Sequence, residues 1–169
     1  LNVQSQPRLR ATANLAVDDF GFNNLFNVKK LRVQGELPTS ELTPTLMTAK
    51  MESLRNGSRE IQKGEISLAG TRKAHILKVQ AENRISKFYV QLAGGFNAQN
   101  DWLGQIQKGD FDSLRARLVQ RQNASVIYSS AKSELFVGAH CWSSQQSQLC
   151  FDQPIRVSKT KGNVSFVTQ

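Results

Sequence analysis

The chain has 169 residues, a hydrophobic content of 39%, a formal net charge of +9 and a pI near 9.9. That length is enough for one domain with its own core. No apolar run approaches the roughly 18 residues that a membrane-spanning helix needs, so none is expected here. The positive charge favours acidic partners but does not choose among nucleic acid, anionic lipid headgroups and acidic protein surfaces.

Apolar and polar residues alternate along most of the chain, as in β-strands with one apolar and one polar face. Leu31, Val33 and Leu37, for example, alternate with charged or amide side chains. The alternating runs cover residues 11–17, 31–37, 66–68, 77–81, 88–92, 102–106, 135–141, 149–151, 155–157 and 164–166. They predict an all-β fold of about ten strands, joined as an antiparallel meander.

Turn residues separate these runs. The predicted turns lie at Asp18-Asp19, Asn56-Gly57, Gly94-Gly95, 97–101, 145–147 and Gly162-Asn163. Two segments also have helical spacing, one at residues 46–54 and one at residues 114–121. A helix at either place remains an alternative to a strand.

The predicted sheet has a whole apolar face and almost no helix to cover it. The sheet can close into a barrel, pack as two halves of a sandwich, or curl into an open trough with an apolar concave face. Alternation is the same in all three and does not choose among them; the open trough is the arrangement implied by the family resemblance of the four passages given below. The residues expected to line such a groove and to contact lipid or a client polypeptide are Leu15, Leu31, Val33, Leu68, Val79, Val90, Leu92 and Ile106. Ordinary sandwich core is the alternative role for them.

The side chains that catalysis requires are scarce. His75 falls in an alternating run, which predicts a strand-surface histidine. His140 and Cys141 are consecutive and should point to opposite faces of a strand, so they are not expected to form a thiol–imidazole pair. Phosphate-binding, nucleophile and zinc-protease motifs are missing from the sequence. We therefore expect no enzyme activity, no catalytic residue, no metal and no cofactor.

The basic residues come in small groups on the polar positions of predicted strands and at turns. Examples are Lys29-Lys30 and Arg72-Lys73. A nucleic-acid-binding domain usually gathers such residues into one platform with aromatic side chains. Nucleic acid is therefore not an expected partner.

Cys141 and Cys150 are the only cysteines, and eight residues separate them. This spacing suits neither a CxxC redox motif nor a four-ligand zinc site. A disulfide across a hairpin is favoured over two reduced core thiols. Such a bond would indicate an oxidising compartment and would stabilise the fold by roughly 2–3 kcal/mol.

Four passages, in this order, resemble the middle-to-late β repeats of the TamB family, within the AsmA-like group of bridge-like lipid transfer proteins. They are ATANLAVDDFGFNNLFNVKKLRVQGEL, GEISLAGTRKAHILKVQAE, FYVQLAGGFNAQNDWLGQIQKGDF and ELFVGAHCWSSQQSQLCF. The last passage is similar to a paired-cysteine hairpin of that family. The resemblance covers about 140 residues, and we expect residues 1–169 to be a single β-rich segment of a much longer periplasmic protein.

The resemblance implies a protein anchored in the inner membrane of a Gram-negative envelope. It implies an outer-membrane partner, the barrel protein TamA, and phospholipids or unfolded outer-membrane proteins as clients. The implied role is to assist the assembly of outer-membrane proteins such as autotransporters and to move phospholipid along a hydrophobic, β-taco-like groove. The alternative function is that of a closed β-sandwich serving as an extracytoplasmic interaction or adhesion domain.

Overall fold

A computed structural model describes residues 11–22, 26–37, 43–57, 59–160 and 163–168. Within these ranges the regular secondary structure is entirely β-strand, which confirms the predicted all-β fold. The strands are β1 (Ala11–Phe22), β2 (Phe26–Leu37), β3 (Thr45–Asn56), β4 (Arg59–Gly70), β5 (His75–Glu82), β6 (Ser86–Phe96), β7 (Trp102–Ser113), β8 (Arg117–Gln120), β9 (Ala124–Ser129), β10 (Glu134–Val137), β11 (His140–Ser143), β12 (Gln148–Phe151), β13 (Ile155–Thr160) and β14 (Asn163–Thr168).

The strands form one antiparallel sheet that begins as a meander. Each of the strands β1 to β7 pairs with the next one along the chain, as short connections favour. The sheet then continues through β9, β10 and β13 to β14. Among the described strands β1 and β14 are the two ends and do not pair with one another, so the sheet is open.

Three positions in the sheet are each occupied by two short strands. β8 and β9 both pair with β7, β8 along residues 110–112 and β9 along residues 102–106. In the same way β11 and β10 lie against β8 and β9, while β12 and β13 lie against β11 and β10. The 14 described strands therefore fill eleven positions, close to the ten or so that the alternation predicted.

Both helix alternatives are wrong. Residues 46–54 lie inside β3, and residues 114–121 form a turn followed by β8. Met47 and Met51 fit the spacing of a helix and of a strand equally well. In the sheet they lie opposite Leu68 and Gly64, and pairing on both sides of β3 decides the outcome.

The predicted turns are confirmed only in part. Asn56-Gly57 joins β3 to β4, with Gly57 at a φ of 57°, and residues 97–101 and 144–147 close further hairpins. The turns predicted at Asp18-Asp19 and Gly94-Gly95 are wrong, because these pairs lie within β1 and β6. Asp19 adopts a φ of 51° there, a local irregularity of the strand. Gly162 lies outside the described residues.

The predicted disulfide is present. Cys141 of β11 lies directly opposite Cys150 of β12, with 4.1 Å between their Cα atoms. The bond therefore links the two strands of one hairpin.

On the polar face, one row of directly opposed charges alternates in sign across eight strands. The row consists of Asp18, Lys30, Glu52, Lys63, Glu82, Lys87, Asp112 and Arg117. Its ion pairs include Lys30 Nζ with Glu52 Oε2 at 3.5 Å and Lys87 Nζ with Glu82 Oε1 at 3.8 Å. Exposed pairs of this kind contribute little individually. Their arrangement favours the observed register, since a two-residue shift of β3 would bring Lys30 opposite Lys50 or Leu54.

Reversing one charge in this row should destabilise the sheet. Lys63→Glu would oppose carboxylates on both sides, whereas Lys78→Glu changes a lysine that lies between Ser67 and Gln91. We expect Lys63→Glu to lower the free energy of unfolding by about 0.5–1 kcal/mol more than the control. Urea denaturation measures both values, and added salt should narrow the difference. Equal losses would show that the row does not stabilise this register.

Candidate functional site

The eight residues predicted to line a groove all lie on one face of the sheet. Leu15 is opposite Val33, and Val79 is opposite Val90. Residues directly opposite one another in antiparallel strands point to the same face, as do alternate residues along a strand. The same pairing places Leu31, Leu68, Leu92 and Ile106 on this face.

Apolar side chains form rows that run across the strands on this face. One row contains Val17, Leu31, Met51, Gly64, Ala81, Phe88, Phe111 and Leu118. The next contains Leu15, Val33, Ala49, Ile66, Val79, Val90 and Gly109. A third contains Gly35, Met47, Leu68, Leu77, Leu92, Ile106 and Ala124. The apolar face is thus continuous from β1 to β9.

No second layer covers this face in the described part of the chain. The buried apolar side chains there are only Val28, Ala124 and Val126, and no large side chain is fully buried. Leu15 is 53% exposed and Ile66 is 41% exposed, although both lie within the rows. Exposed apolar surfaces of this extent usually mark binding sites.

The sheet curls around this face. Thr45 of β3 and Leu135 of β10 line one common cleft of about 740 Å³. Six steps of about 4.8 Å separate these strands along the sheet, so a flat sheet would hold them about 29 Å apart. Leu68, Leu77 and Leu92 also line the cleft. The predicted open trough with an apolar concave face is therefore confirmed, and two of the eight predicted residues, Leu68 and Leu92, line this cleft.

A hydrogen-bonded histidine and tryptophan lie at one end of the cleft. Trp102 Nε1 donates to His75 Nε2 at 2.7 Å, and His75 Nδ1 lies 3.0 Å from the carbonyl oxygen of Thr71. An indole N–H only donates and a carbonyl oxygen only accepts, so these contacts fit an imidazole that accepts at Nε2 and donates from Nδ1. His75 is 8% exposed, and the prediction of a surface histidine is therefore wrong. Two hydrogen bonds therefore hold the His75 ring, one to Trp102 of β7 and one to Thr71 in the connection before β5.

Two glycines make room for the Trp102 ring. A Cβ at Gly94 would lie 2.6 Å from Trp102 Cζ2, and a Cβ at Gly104 would lie 2.5 Å from Cη2. The indole therefore lies flat along the sheet, in the row that contains His75. In this orientation the Trp102 ring covers the backbone at Gly94 and Gly104 and leaves the cleft open.

Sequence reasoning missed several residues of the cleft. Phe96, Trp102, Tyr128 and Leu135 line it together with His75. The period-two pattern had included Trp102 and Leu135 in strands, but alternation gives no measure of where a sheet curves. The available signal was the Trp-x-Gly spacing of Trp102 and Gly104, because a glycine two positions along a strand leaves room for a ring on the same face.

The bond between Trp102 and His75 can be tested by its effect on stability. Trp102→Phe leaves the buried His75 Nε2 without its donor, so we expect a loss of about 1–3 kcal/mol beyond the loss of packing. Trp142→Phe is the matched control, since Trp142 lies over Gly109 as Trp102 lies over its glycines. Chemical denaturation of both variants gives the comparison. Losses of the same size would mean that the hydrogen bond adds nothing to packing.

The described residues contain no helix of the length and apolarity that crossing a bilayer requires. They also lack any group of three or more His, Cys, Asp or Glu side chains arranged to hold a metal ion.

Comparison with protein-family models identifies the family of the chain. No solved structure matches the chain. The family model described as TamB, N-terminal domain, matches residues 4–169. The matched region is the N-terminal domain, which differs from the middle-to-late repeats that the sequence passages suggested. Since the match covers nearly the whole chain, this chain belongs to the TamB family.

Proposed function

We propose that the chain is the groove-forming part of a non-enzymatic module that carries phospholipid between membranes. The observation that carries this proposal is the uncovered apolar face, whose rows run across the strands from β1 to β9, while a row of alternating charges lies on the opposite face. Exposure of such a face to water is unfavourable, and binding an apolar cargo would compensate for it.

The chemistry of the face favours acyl chains over polypeptide. Backbone polar groups of the sheet are paired within the ladder, so the floor of the groove offers a peptide few hydrogen-bonding partners. An extended polypeptide would have to desolvate its own peptide groups against leucine and valine side chains, at a cost for each unpaired group. Acyl chains have no such groups. Hydrophobic burial along the rows therefore favours lipid.

We further propose that the module assists the assembly of outer-membrane proteins, including autotransporters. The open edges of the sheet support this role, because an edge strand can pair with an extended client segment through main-chain hydrogen bonds. Family membership supports the rest of the proposal. That remaining part of the proposal is a periplasmic position, an anchor in the inner membrane and the outer-membrane barrel protein TamA as partner.

The alternative function, a closed β-sandwich interaction domain, fits this architecture poorly. A sandwich buries its apolar residues between two sheets packed face to face. The described strands belong to a single sheet, and its apolar rows remain exposed.

Photo-crosslinking in cells tests the groove directly. A photoreactive side chain at Val79 or Val90 reports on the apolar face, and one at Lys78 or Gln91 reports on the polar face of the same strands. The controls are well matched, since Val79 is opposite Val90 and Lys78 is opposite Gln91. We expect phospholipid adducts, identified by mass spectrometry, at the valine positions and few at the controls.

Two results would contradict the lipid-carrying role. Adducts with polypeptides alone would indicate a groove for client proteins. If no adduct formed at either valine, the face would be covered in the cell and the open-groove proposal would fail.

A further inference from the structure

Two connections on one rim of the sheet carry aliphatic side chains that are exposed to solvent. Among the described residues that lie between strands, Ile85 and Leu114 alone have large apolar side chains. Leu114 is 82% exposed and Ile85 is 59% exposed. The other described connections carry small, polar or charged side chains and proline, which is ordinary for solvent-facing turns. These two residues therefore differ from those of the other described connections.

The two connections are adjacent and held together. Residues 83–85 join β5 to β6, and residues 114–116 join β7 to β8. Leu114 N donates to the carbonyl oxygen of Ile85 at 3.2 Å. Ile85 and Leu114 are thus presented side by side on the rim of the groove, and we call residues 83–85 and 114–116 the rim pair.

Side-chain hydrogen bonds hold both connections in fixed conformations. Asn83 Oδ1 accepts from the backbone N–H of Ile85 at 2.9 Å and from that of Ser86 at 2.8 Å. Ser113 Oγ donates to the carbonyl oxygen of Ala116 at 3.0 Å. The backbone of both connections is therefore already ordered, so binding through them would cost little backbone conformational entropy.

The charge of the rim pair is positive. Its six residues include Arg84 and Arg115, both exposed, and no carboxylate. Arg84 has a minor electrostatic effect on Glu60 of β4, whose pKa is lowered chiefly by hydrogen bonds from Ser53 and Arg55. Each exposed aliphatic tip is thus adjacent in sequence to an arginine.

We propose that the rim pair docks on an anionic lipid bilayer surface. Ile85 and Leu114 would enter the boundary between headgroups and acyl chains, and Arg84 and Arg115 would contact lipid phosphates. The side chains of Ile85 and Leu114 together offer far less apolar area than the roughly 800 Å² that each partner buries in a typical protein interface. Two aliphatic side chains that each follow or precede an arginine in sequence suit shallow insertion into a bilayer. This contact would hold a rim of the groove at the membrane surface, and it does not depend on the groove carrying lipid.

Vesicle flotation with the purified chain tests the proposal. The vesicles contain phosphatidylcholine alone or phosphatidylcholine with one quarter phosphatidylglycerol. We expect binding to the anionic vesicles that weakens as salt is raised. The double variant Ile85→Ser, Leu114→Ser should partition at least about tenfold less, because it removes the inserted apolar surface. Leu46→Ser is the matched control, since Leu46 is also 59% exposed but lies within β3, on the polar face of the sheet and away from the rim pair.

A second pair of variants separates local contact from overall charge. Arg84→Gln with Arg115→Gln removes two charges from the rim pair, and Lys78→Gln with Lys108→Gln removes two from the polar face of β5 and β7. Only the rim variant should lose most of the preference for anionic vesicles. If both variants bound alike, or if the unaltered chain failed to float with anionic vesicles, the proposal would be wrong. Crosslinking inside the groove would be unaffected by that failure, so the two proposals are tested separately.

Discussion

The structure depends on one constraint: an amphipathic sheet must satisfy its backbone polar groups by pairing, but pairing alone leaves the apolar face exposed. Most of the described strands pair with a neighbour in sequence, and the pairs β7–β9, β8–β11 and β10–β13 extend the same sheet without a second layer. The hydrophobic effect then has no internal partner for the rows that include Leu15 and Ile66. Curvature partly shelters these rows, and an apolar cargo would complete their burial.

The two faces contribute differently to this arrangement. On the polar face, the alternating charges from Asp18 to Arg117 favour one register over its shifted alternatives. On the apolar face, side chains in register form uniform rows with few distinguishing contacts. Register must be specified strongly in a repetitive sheet, since a shift of one residue would move every side chain to the other face. The charged row and the disulfide of the β11–β12 hairpin supply that specification.

The rim and the groove meet at the same edge of the sheet. The groove runs across the strands, so the connections between strands form its rims. The rim pair therefore places two exposed aliphatic residues, Ile85 and Leu114, beside an apolar face that ends near Phe88 and Phe111. An acyl chain leaving a bilayer at this rim would pass from one apolar surface to another.

Sequence alternation by itself determined the all-β class, the antiparallel pairing of neighbouring strands and the face on which Val79 and Val90 lie, because each depends on local spacing. The spacing of the two cysteines favoured a disulfide across a hairpin. Only the tertiary structure decided that residues 46–54 pair as β3 rather than forming a helix, since both conformations fit Met47 and Met51 equally well. It also decided that His75 is buried against Trp102, a contact between residues 27 apart in sequence. Openness and curvature were likewise beyond the sequence, because period-two alternation is identical in open and closed sheets and only the packing of distant strands distinguishes them.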